Sequence, residues 1–257
     1  MEQSFEMRSA RGLVAPVQRG AVLLTALFLM LAVLIIGVSA ARSALNAEKS
    51  ARHDRDRHIA FNAAQAALRD AERDIEGGAD PASPRAALFA PGSAGFVGDC
   101  GQGAASANLG LCLPALGPAA PVWQALDLAG ADASTVPYGR FTGAVMAVAG
   151  GPLPARLPRY IIERVAPAGA APSHGAFFRV TAIGFGSRDT TRVVLQSYYR
   201  KPLAAPAVAA QGSAPDTDPS PAPVTPAPVT PAAATPAGRI SWREIANWPE
   251  LHRAAQL

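Results

Sequence analysis

One uninterrupted apolar run, from Ala21 to Ala40, dominates the hydropathy pattern of the chain. Its 20 residues, AVLLTALFLMLAVLIIGVSA, include no charged side chain. At about 1.5 Å rise per residue, a helix of this length extends for about 30 Å, which matches the hydrocarbon core of a bilayer. The run is apolar on every face of such a helix, as contact with lipid requires. We therefore predict a transmembrane helix over residues 21–40.

The helical pattern continues beyond the apolar run. Between Val38 and Glu76 the sequence contains no Pro and no Gly, and the strong helix formers Ala, Leu, Glu, Lys and Arg are abundant. Gly77 and Gly78 then supply a stop, because glycine readily adopts the left-handed conformation that caps a helix. The sequence thus predicts that the membrane helix continues without a break through residues 41–76.

This continuation is amphipathic. Apolar residues recur at steps of three and four and form one stripe that we expect to be buried: Phe61, Ala64, Leu68, Ala71 and Ile75. The side chains expected to face solvent are Asp54, Arg57, Arg69, Asp70 and Arg73. The segment from His53 to His58 (HDRDRH) is too polar for a membrane or a core, so we expect water around it. A half-buried helix needs a surface to pack on, which the rest of the chain should supply as a sheet.

Strand signals follow in the second half of the chain. Four short segments are rich in β-branched or aromatic residues and are bounded by Gly, Pro or Ser: Arg140–Val148, Arg159–Val165, Phe177–Ile183 and Thr190–Tyr199. The last two are joined by a hairpin-sized loop, Gly184–Asp189. Phe178, Val180 and Ala182 alternate and are expected to face the helix. One helix followed by strands predicts an α+β fold with a small antiparallel sheet.

The two cysteines, Cys100 and Cys112, lie in a segment of irregular composition that spans residues 79–135. A local disulfide between them is our first interpretation, since it would form readily in an oxidising compartment and implies export. Free structural cysteines, and metal or redox chemistry, remain as alternatives. No other metal ligand is near, because the next histidine towards the C-terminus is His174. We therefore predict no metal site.

Residues 203–238 read as a linker. They contain the near-repeat PAPVT, PAPVT, PAAAT, whose composition favours an extended chain and cannot build a core. The segment 239–257 (RISWREIANWPELHRAAQL) follows, and Ser241 and Glu244 match a capping box at the start of a helix. This helix would either bind a partner on a tether or fold back onto its own domain.

A polar leader, residues 1–20, precedes the apolar run and ends in Gly20. This layout places processing in front of the hydrophobic segment, between Gly20 and Ala21, whereas ordinary secretory signals are cut behind theirs. The net charge of +4 is small for 257 residues, and three of the basic residues lie in the leader. We accordingly expect no nucleic-acid partner. Basic residues flank the membrane segment on both sides and do not settle its orientation.

The sequence offers no recognisable catalytic motif. It lacks a Gly-x-Ser-x-Gly elbow, a His-Glu-x-x-His zinc motif and a phosphate-binding loop, and the Gly-x-Gly at 184–186 reads as a turn. Asp54 and Asp56 lie on different helix faces and make no carboxylate pair. We therefore expect no enzyme and no cofactor. A signal-anchored exported enzyme or binding protein remains an alternative, because Val38-Ser39-Ala40 fits a signal-peptidase site.

The chain resembles the PilX-type minor pilins, which are assembly proteins of bacterial type IV pili. The resemblance covers residues 18–200 and depends on the order and spacing of several short segments. They are QRGAVLLTALFLML (18–31), RDRHIAFNAAQAALRDAE (55–72), GLC (110–112), VWQALD (122–127), VPYGRFTG (136–143), PRYIIERV (158–165) and FFRVTAIGFGSRDTTRVVLQSYY (177–199).

The resemblance implies a pilin-like fold and a processing pathway. A prepilin peptidase would cut after Gly20 and methylate the new amine of Ala21. Residues 77–202 would form the periplasmic domain, anchored in the inner membrane by the helix and able to enter the pilus. The partners implied are other minor pilins, pilus subunits and the peptidase.

The fifth residue of the mature chain would be Thr25, where major pilins carry Glu. A buried charged amine needs an acidic partner, and Thr cannot neutralise it. We therefore hypothesise a position at or near the pilus tip, where no subunit lies ahead. K-type minor pseudopilins of type II secretion share this departure and are the alternative family.

Overall fold

A computed structural model describes residues 21–90, 92–103, 106–130, 134–203 and 237–257. The predicted leader, 1–20, and residues 204–236 of the predicted linker lie outside this described part. The chain divides into two units, one up to His53 and one from Asp54 onward, and each is treated by itself.

The first element is a long helix, α1, from Ala21 to Ile75. Its end agrees with the predicted stop: Gly77 and Gly78 have φ angles of 119° and 66°, and the amide of Gly78 donates to the carbonyl oxygen of Arg73 at 2.8 Å. These positive φ angles belong to the left-handed region, which glycine adopts without strain and other residues do not. The change of backbone conformation at the two glycines ends the helix.

The second unit begins inside α1 and contains a six-stranded sheet. The strands are β1 (Leu111–Cys112), β2 (Val136–Pro137), β3 (Arg159–Val165), β4 (Ala176–Phe185), β5 (Arg192–Lys201) and β6 (Gly238–Glu244). Their order in the sheet is β1-β3-β4-β5-β6, with β2 pairing separately with β3. The predicted α+β fold is confirmed, and all pairings of these strands are antiparallel except that of β1 with β3, which is parallel.

Short helices complete the described part of the chain. They are α2 (Pro84–Ala87), α3 (Val122–Ala125), a single 3₁₀ turn (Pro172–His174) and α4 (Trp248–Ala254).

The strand predictions differ in their outcomes. The prediction for β3 is confirmed with its bounds. Those for β4 and β5 are confirmed with different bounds, since β4 extends beyond the predicted range at both ends and β5 begins and ends two residues later than predicted. The prediction for Arg140–Val148 was wrong, because this segment forms turns and extended coil without a strand partner. Gly139 and Gly143 have φ angles of 78° and 70°, which break the extended backbone.

The sheet is covered on both faces, and alternation along the strands decides which residue goes where. Phe178, Val180 and Ala182 of β4 pack in one cluster with the apolar stripe of α1, as predicted. Ile183 and Phe185 belong to a second cluster, which contains the disulfide, α3 and α4. The stripe itself is confirmed: Ala64, Leu68, Ala71 and Ile75 are fully buried, and Phe61 is partly buried against the same cluster.

The C-terminal segment folds back onto its own domain, but not as the predicted helix. Ser241 and Glu244 lie in the strand β6, and the helix begins only at Trp248. Pro249 occupies the first turn of that helix, where its missing amide costs nothing. Pairing with the edge of β5 thus overrides the local capping pattern.

Candidate functional site

The N-terminal part of α1 presents an apolar surface without a protein partner in the described structure. Leu23 is 75% exposed and Met30 is 72% exposed, and their apolar neighbours are similarly open. By length and composition, this helix is able to cross a membrane. The protein therefore carries a helix suited to membrane anchoring at its N-terminal side.

The helix begins at Ala21, and no acidic residue is present in its first turn. The hydroxyl of Thr25 donates to the carbonyl oxygen of Val22 at 2.9 Å, so it satisfies a local backbone acceptor. Gly20 lies outside the described residues. Cleavage between Gly20 and Ala21, and methylation of Ala21, stay predictions.

Three aspartates of α1 are buried, although two of them had been expected to contact water. Asp70 and Asp74 lie 14 and 18 residues after Asp56, which is about four and five helical turns. All three therefore share the face that packs on the sheet. The spacing of these aspartates from the buried alanines of α1 can be read from the sequence, and it is the signal that could have identified the aspartates as buried.

Asp56 holds the loop between β4 and β5. One carboxylate oxygen accepts from the hydroxyl of Ser187 at 2.6 Å, and the other accepts from the hydroxyl of Thr191. Burial is the largest influence on the pKa of Asp56 and raises it, but the hydrogen bonds from Ser187 and Thr191 outweigh burial and lower the pKa below its usual value. The expectation that the whole segment from His53 to His58 faces water was wrong at Asp56.

Asp70 holds the segment that had been predicted as a strand. Its carboxylate accepts from the amide of Gly139 at 2.6 Å and from the hydroxyl of Thr142. Burial raises the pKa of Asp70, and the two hydrogen bonds offset this only in part. The turn conformation of residues 139–143 thus brings two donors to one buried carboxylate, which explains why a strand does not form there.

Asp74 forms the most deeply buried ion pair in the described part of the chain. Its side chain is fully buried, and the guanidinium of Arg85 approaches it at 2.6 Å. The hydroxyl of Tyr160 donates to the same carboxylate at 3.0 Å. Arg85 also donates to the carbonyl oxygens of Ala107 and Leu109 at 2.8 and 2.7 Å. One arginine therefore links α1 to the loop that the cysteines close.

Cys100 and Cys112 are joined in a disulfide, as predicted, with an S–S distance of 2.10 Å. Cys112 is fully buried in β1, and Cys100 is almost completely buried. The amide of Gly110 donates to the carbonyl oxygen of Cys100 at 2.7 Å, which narrows the loop further. The bridge fixes the loop that Arg85 contacts.

Gly184 lets the helix and the sheet approach closely. It lies within β4, so the interpretation of the Gly-x-Gly as a turn was wrong at this position. A Cβ at Gly184 would collide with the backbone of Ala60 and Ala64 in α1. Small residues on both sides therefore set the separation between helix and sheet.

Within the described residues, no three His, Cys, Asp or Glu side chains are grouped as metal binding would require. His53 and His58 are exposed on α1, and the ring of His252 stacks on Trp248 at 4.9 Å between centroids. The structure instead combines two features. One is the apolar part of α1, residues 21–40, which we call the stem; the other is a domain whose residues donate hydrogen bonds to three buried carboxylates of the same helix.

A long apolar N-terminal helix whose second part packs on the sheet of an α+β domain is the architecture of pilins. Two family models match the chain. PilX N-terminal matches residues 19–69, and the C-terminal domain of type IV pilus assembly protein PilX matches residues 101–201. The chain belongs to this family of pilus assembly proteins, which is not a known enzyme family.

The two matches place the family boundaries on the fold. The N-terminal match ends within α1, and the C-terminal match ends at the last residue of β5. The strand β6 and the helix α4 lie beyond it. No curated protein and no solved structure matches the chain.

Proposed function

We propose that this protein is a non-enzymatic minor pilin that takes part in type IV pilus assembly at or near the pilus tip. A prepilin peptidase removes residues 1–20 and methylates Ala21, and the stem then holds the subunit in the inner membrane. The domain from Asp54 onward lies in the periplasm, in agreement with its disulfide. The subunit works with other minor pilins.

The absence of a carboxylate near the start of α1 is the observation that carries the tip position. A charged amine at Ala21 has no acidic residue in the first turn of its own helix, and Thr25 offers only a hydroxyl that is already bonded to Val22. A subunit without this carboxylate cannot neutralise the amine of a subunit ahead of it in the fibre. A subunit at the fibre tip has no subunit ahead of it whose amine must be neutralised.

A substitution at this position tests the proposal. Thr25→Glu supplies the missing carboxylate, and we expect the subunit to move from the fibre end into the shaft, as seen by immunogold labelling of sheared pili. Thr25→Gln is the matched control, because it adds the same bulk without charge. If Thr25→Glu leaves both the number of pili and the location of the subunit unchanged, the tip proposal is wrong.

The alternative assignment to type II secretion shares the missing carboxylate and needs its own test. Deletion of the coding sequence should reduce surface pili and leave secretion of exported enzymes intact. Loss of secretion with normal piliation would favour the K-type pseudopilin instead.

A further inference from the structure

The connection between β5 and β6 is far longer than the pairing of the two strands requires. β5 ends at Lys201 and β6 begins at Gly238, and Arg200 pairs directly with Gly238. Hairpins join such neighbours with two to five residues. A connection over residues 202–237 can span up to about 120 Å when extended, at about 3.3 Å per residue. The same strand can therefore reach the same edge in another molecule.

Side-chain contacts with α1 fix the direction and the register in which β6 pairs. Glu244 forms an ion pair with Arg57 at 2.6 Å, and Arg239 forms one with Glu72 at 2.6 Å. The base precedes the acid in both segments and the two pairs connect opposite ends, so reversal of β6 would bring like charges together, and a shift of its register would separate both pairs. Trp242 packs edge-on against Phe61 between the two pairs.

The helix α4 supplies the anchor on the other face of the sheet. Ile245 and Trp248 are buried, and the indole nitrogen of Trp248 donates to the carbonyl oxygen of Trp123 at 3.1 Å. A ring nitrogen of His252 lies 2.6 Å from the carbonyl oxygen of Gln124. Trp123 and Gln124 lie in the family-matched regions, as do the β5 edge, Arg57 and Phe61 that contact β6.

We propose that β6 and α4 form an exchangeable segment, which one copy of this chain inserts into the β5 edge of a second copy. The second copy is the partner that the structure specifies, because it offers the same strand edge, the same two ion pairs and the same aromatic site. Every contact of the closed form is reproduced after exchange. The length of the connection limits the effective concentration of β6 at its own β5 edge to about millimolar or less, and this concentration falls as a connection lengthens. Copies confined to one membrane compete with it.

Cross-linking between two distinguishable full-length copies tests the exchange. Tyr198 and Ser241 face each other across β5 and β6. One tagged copy carries Tyr198→Cys, the other carries Ser241→Cys, and both are expressed in the same cells before a short thiol-reactive cross-linker is added to membranes. We expect a heterodimer. The two substitutions in a single chain serve as the positive control, since they cross-link within the closed form.

Two matched controls separate exchange from simple proximity. Arg192→Cys, at the far end of β5, replaces Tyr198→Cys and should give little heterodimer with the Ser241→Cys copy. Replacement of residues 201–237 by Asn-Gly in both copies puts a two-residue turn directly between the paired Arg200 and Gly238, and it should abolish the heterodimer while the single-chain cross-link persists. The proposal would be overturned if the Arg192→Cys control gave the same yield of cross-linked heterodimer as Tyr198→Cys, or if the hairpin variant gave an undiminished yield.

A charge exchange provides a second, independent measurement. Arg57→Glu in one copy and Glu244→Arg in the other make each closed form repulsive, whereas both crossed pairings are attractive. Because exposed ion pairs are individually weak, we expect the heterodimer to increase about two- to five-fold over wild-type copies carrying the same cysteines. No heterodimer in either experiment, with the single-chain cross-link intact, would show that the segment stays with its own chain.

Discussion

At the scale of single residues, the contact between α1 and the sheet depends on a few small or charged side chains. Gly184 allows the backbones to approach, and the three aspartates are the only buried charged residues of the described helix from Asp54 onward. Burial of a carboxylate is unfavourable unless donors are aimed at it. Each of the three carboxylates accepts hydrogen bonds from at least two donors. These hydrogen bonds fix the relative position of groups whose other contacts are apolar and non-directional.

Gly184→Ala should weaken this contact. The added methyl group would meet the backbone of Ala60 and Ala64, which cannot move as a side chain could. We expect a loss of about 1–3 kcal/mol in the free energy of unfolding, typical of overpacking. Urea denaturation of the full chain in detergent measures it.

Gly98→Ala is the matched control for this experiment, because nothing lies within 4 Å of a Cβ at Gly98. It should change stability by no more than about 0.5 kcal/mol. Equal urea midpoints for Gly184→Ala and Gly98→Ala would contradict the close approach of helix and sheet.

Asp56 should make the fold sensitive to acid. Its pKa is lower in the folded state than in the unfolded chain, so its stabilising effect is complete above the ordinary carboxyl pKa and is lost as the pH falls through the folded-state value. The difference in stability between wild type and Asp56→Asn should therefore be largest near neutral pH and should shrink in acid. Urea midpoints across this pH range provide the measurement.

The exposed neighbour Asp54 offers the comparison, since it lies on the same helix outside the contact with the sheet. Asp54→Asn should change the pH profile of stability little. A constant gap between wild type and Asp56→Asn from neutral pH to about pH 3 would show that ionisation of Asp56 does not stabilise the domain.

At the scale of elements, what could be predicted depended on whether the determining interaction is local. The periodicity of α1, the glycines after it and the β-branched residues of β3 are local signals, and these elements have the bounds expected of them. Residues 140–148 also looked like a strand, but a turn at their start directs the amide of Gly139 and the hydroxyl of Thr142 to Asp70, far away in sequence. The strand β6 was hidden for the same reason, because the edge of β5 selects it over a helix.

In the candidate site, too, features set by local sequence could be predicted and features set by distant residues could not. The apolar stem, the position of Thr25 and the cysteine pair were readable from the sequence. The buried aspartates were not identified, because a charged residue on a helix is usually solvated and only the distant donors make its burial favourable. Arg85 escaped notice for the same reason, since its partners are Asp74 and two carbonyl groups of the disulfide loop.

The disulfide should stabilise the element that it closes. The two cysteines are separated by 12 positions, and a loop of that size corresponds to about 3 kcal/mol in the chain-entropy description. Cys100→Ser combined with Cys112→Ser should lower the free energy of unfolding by about this amount. Reductant should destabilise the wild type and leave the double variant unaffected. Insensitivity of the wild type to complete reduction would contradict this role.

At the scale of the whole molecule, the chain combines family-matched regions with a C-terminal segment that lies beyond the matches. The family matches cover the stem and the sheet as far as β5, and the segment after residues 202–237 adds one strand and one short helix to that sheet. The family-matched regions account for membrane anchoring and a role in pilus assembly. The C-terminal segment covers the β5 edge, which would otherwise invite pairing with other chains.

The central claim is that the stem stays attached after the leader has gone, so that a membrane-held subunit can enter a fibre. The intact mass and the N-terminal residue of the protein purified from membranes test this most directly. The account predicts a chain that begins at a methylated Ala21. A chain that begins at Ala41, with the stem removed, or one that still carries its first twenty residues in assembled pili, would contradict it.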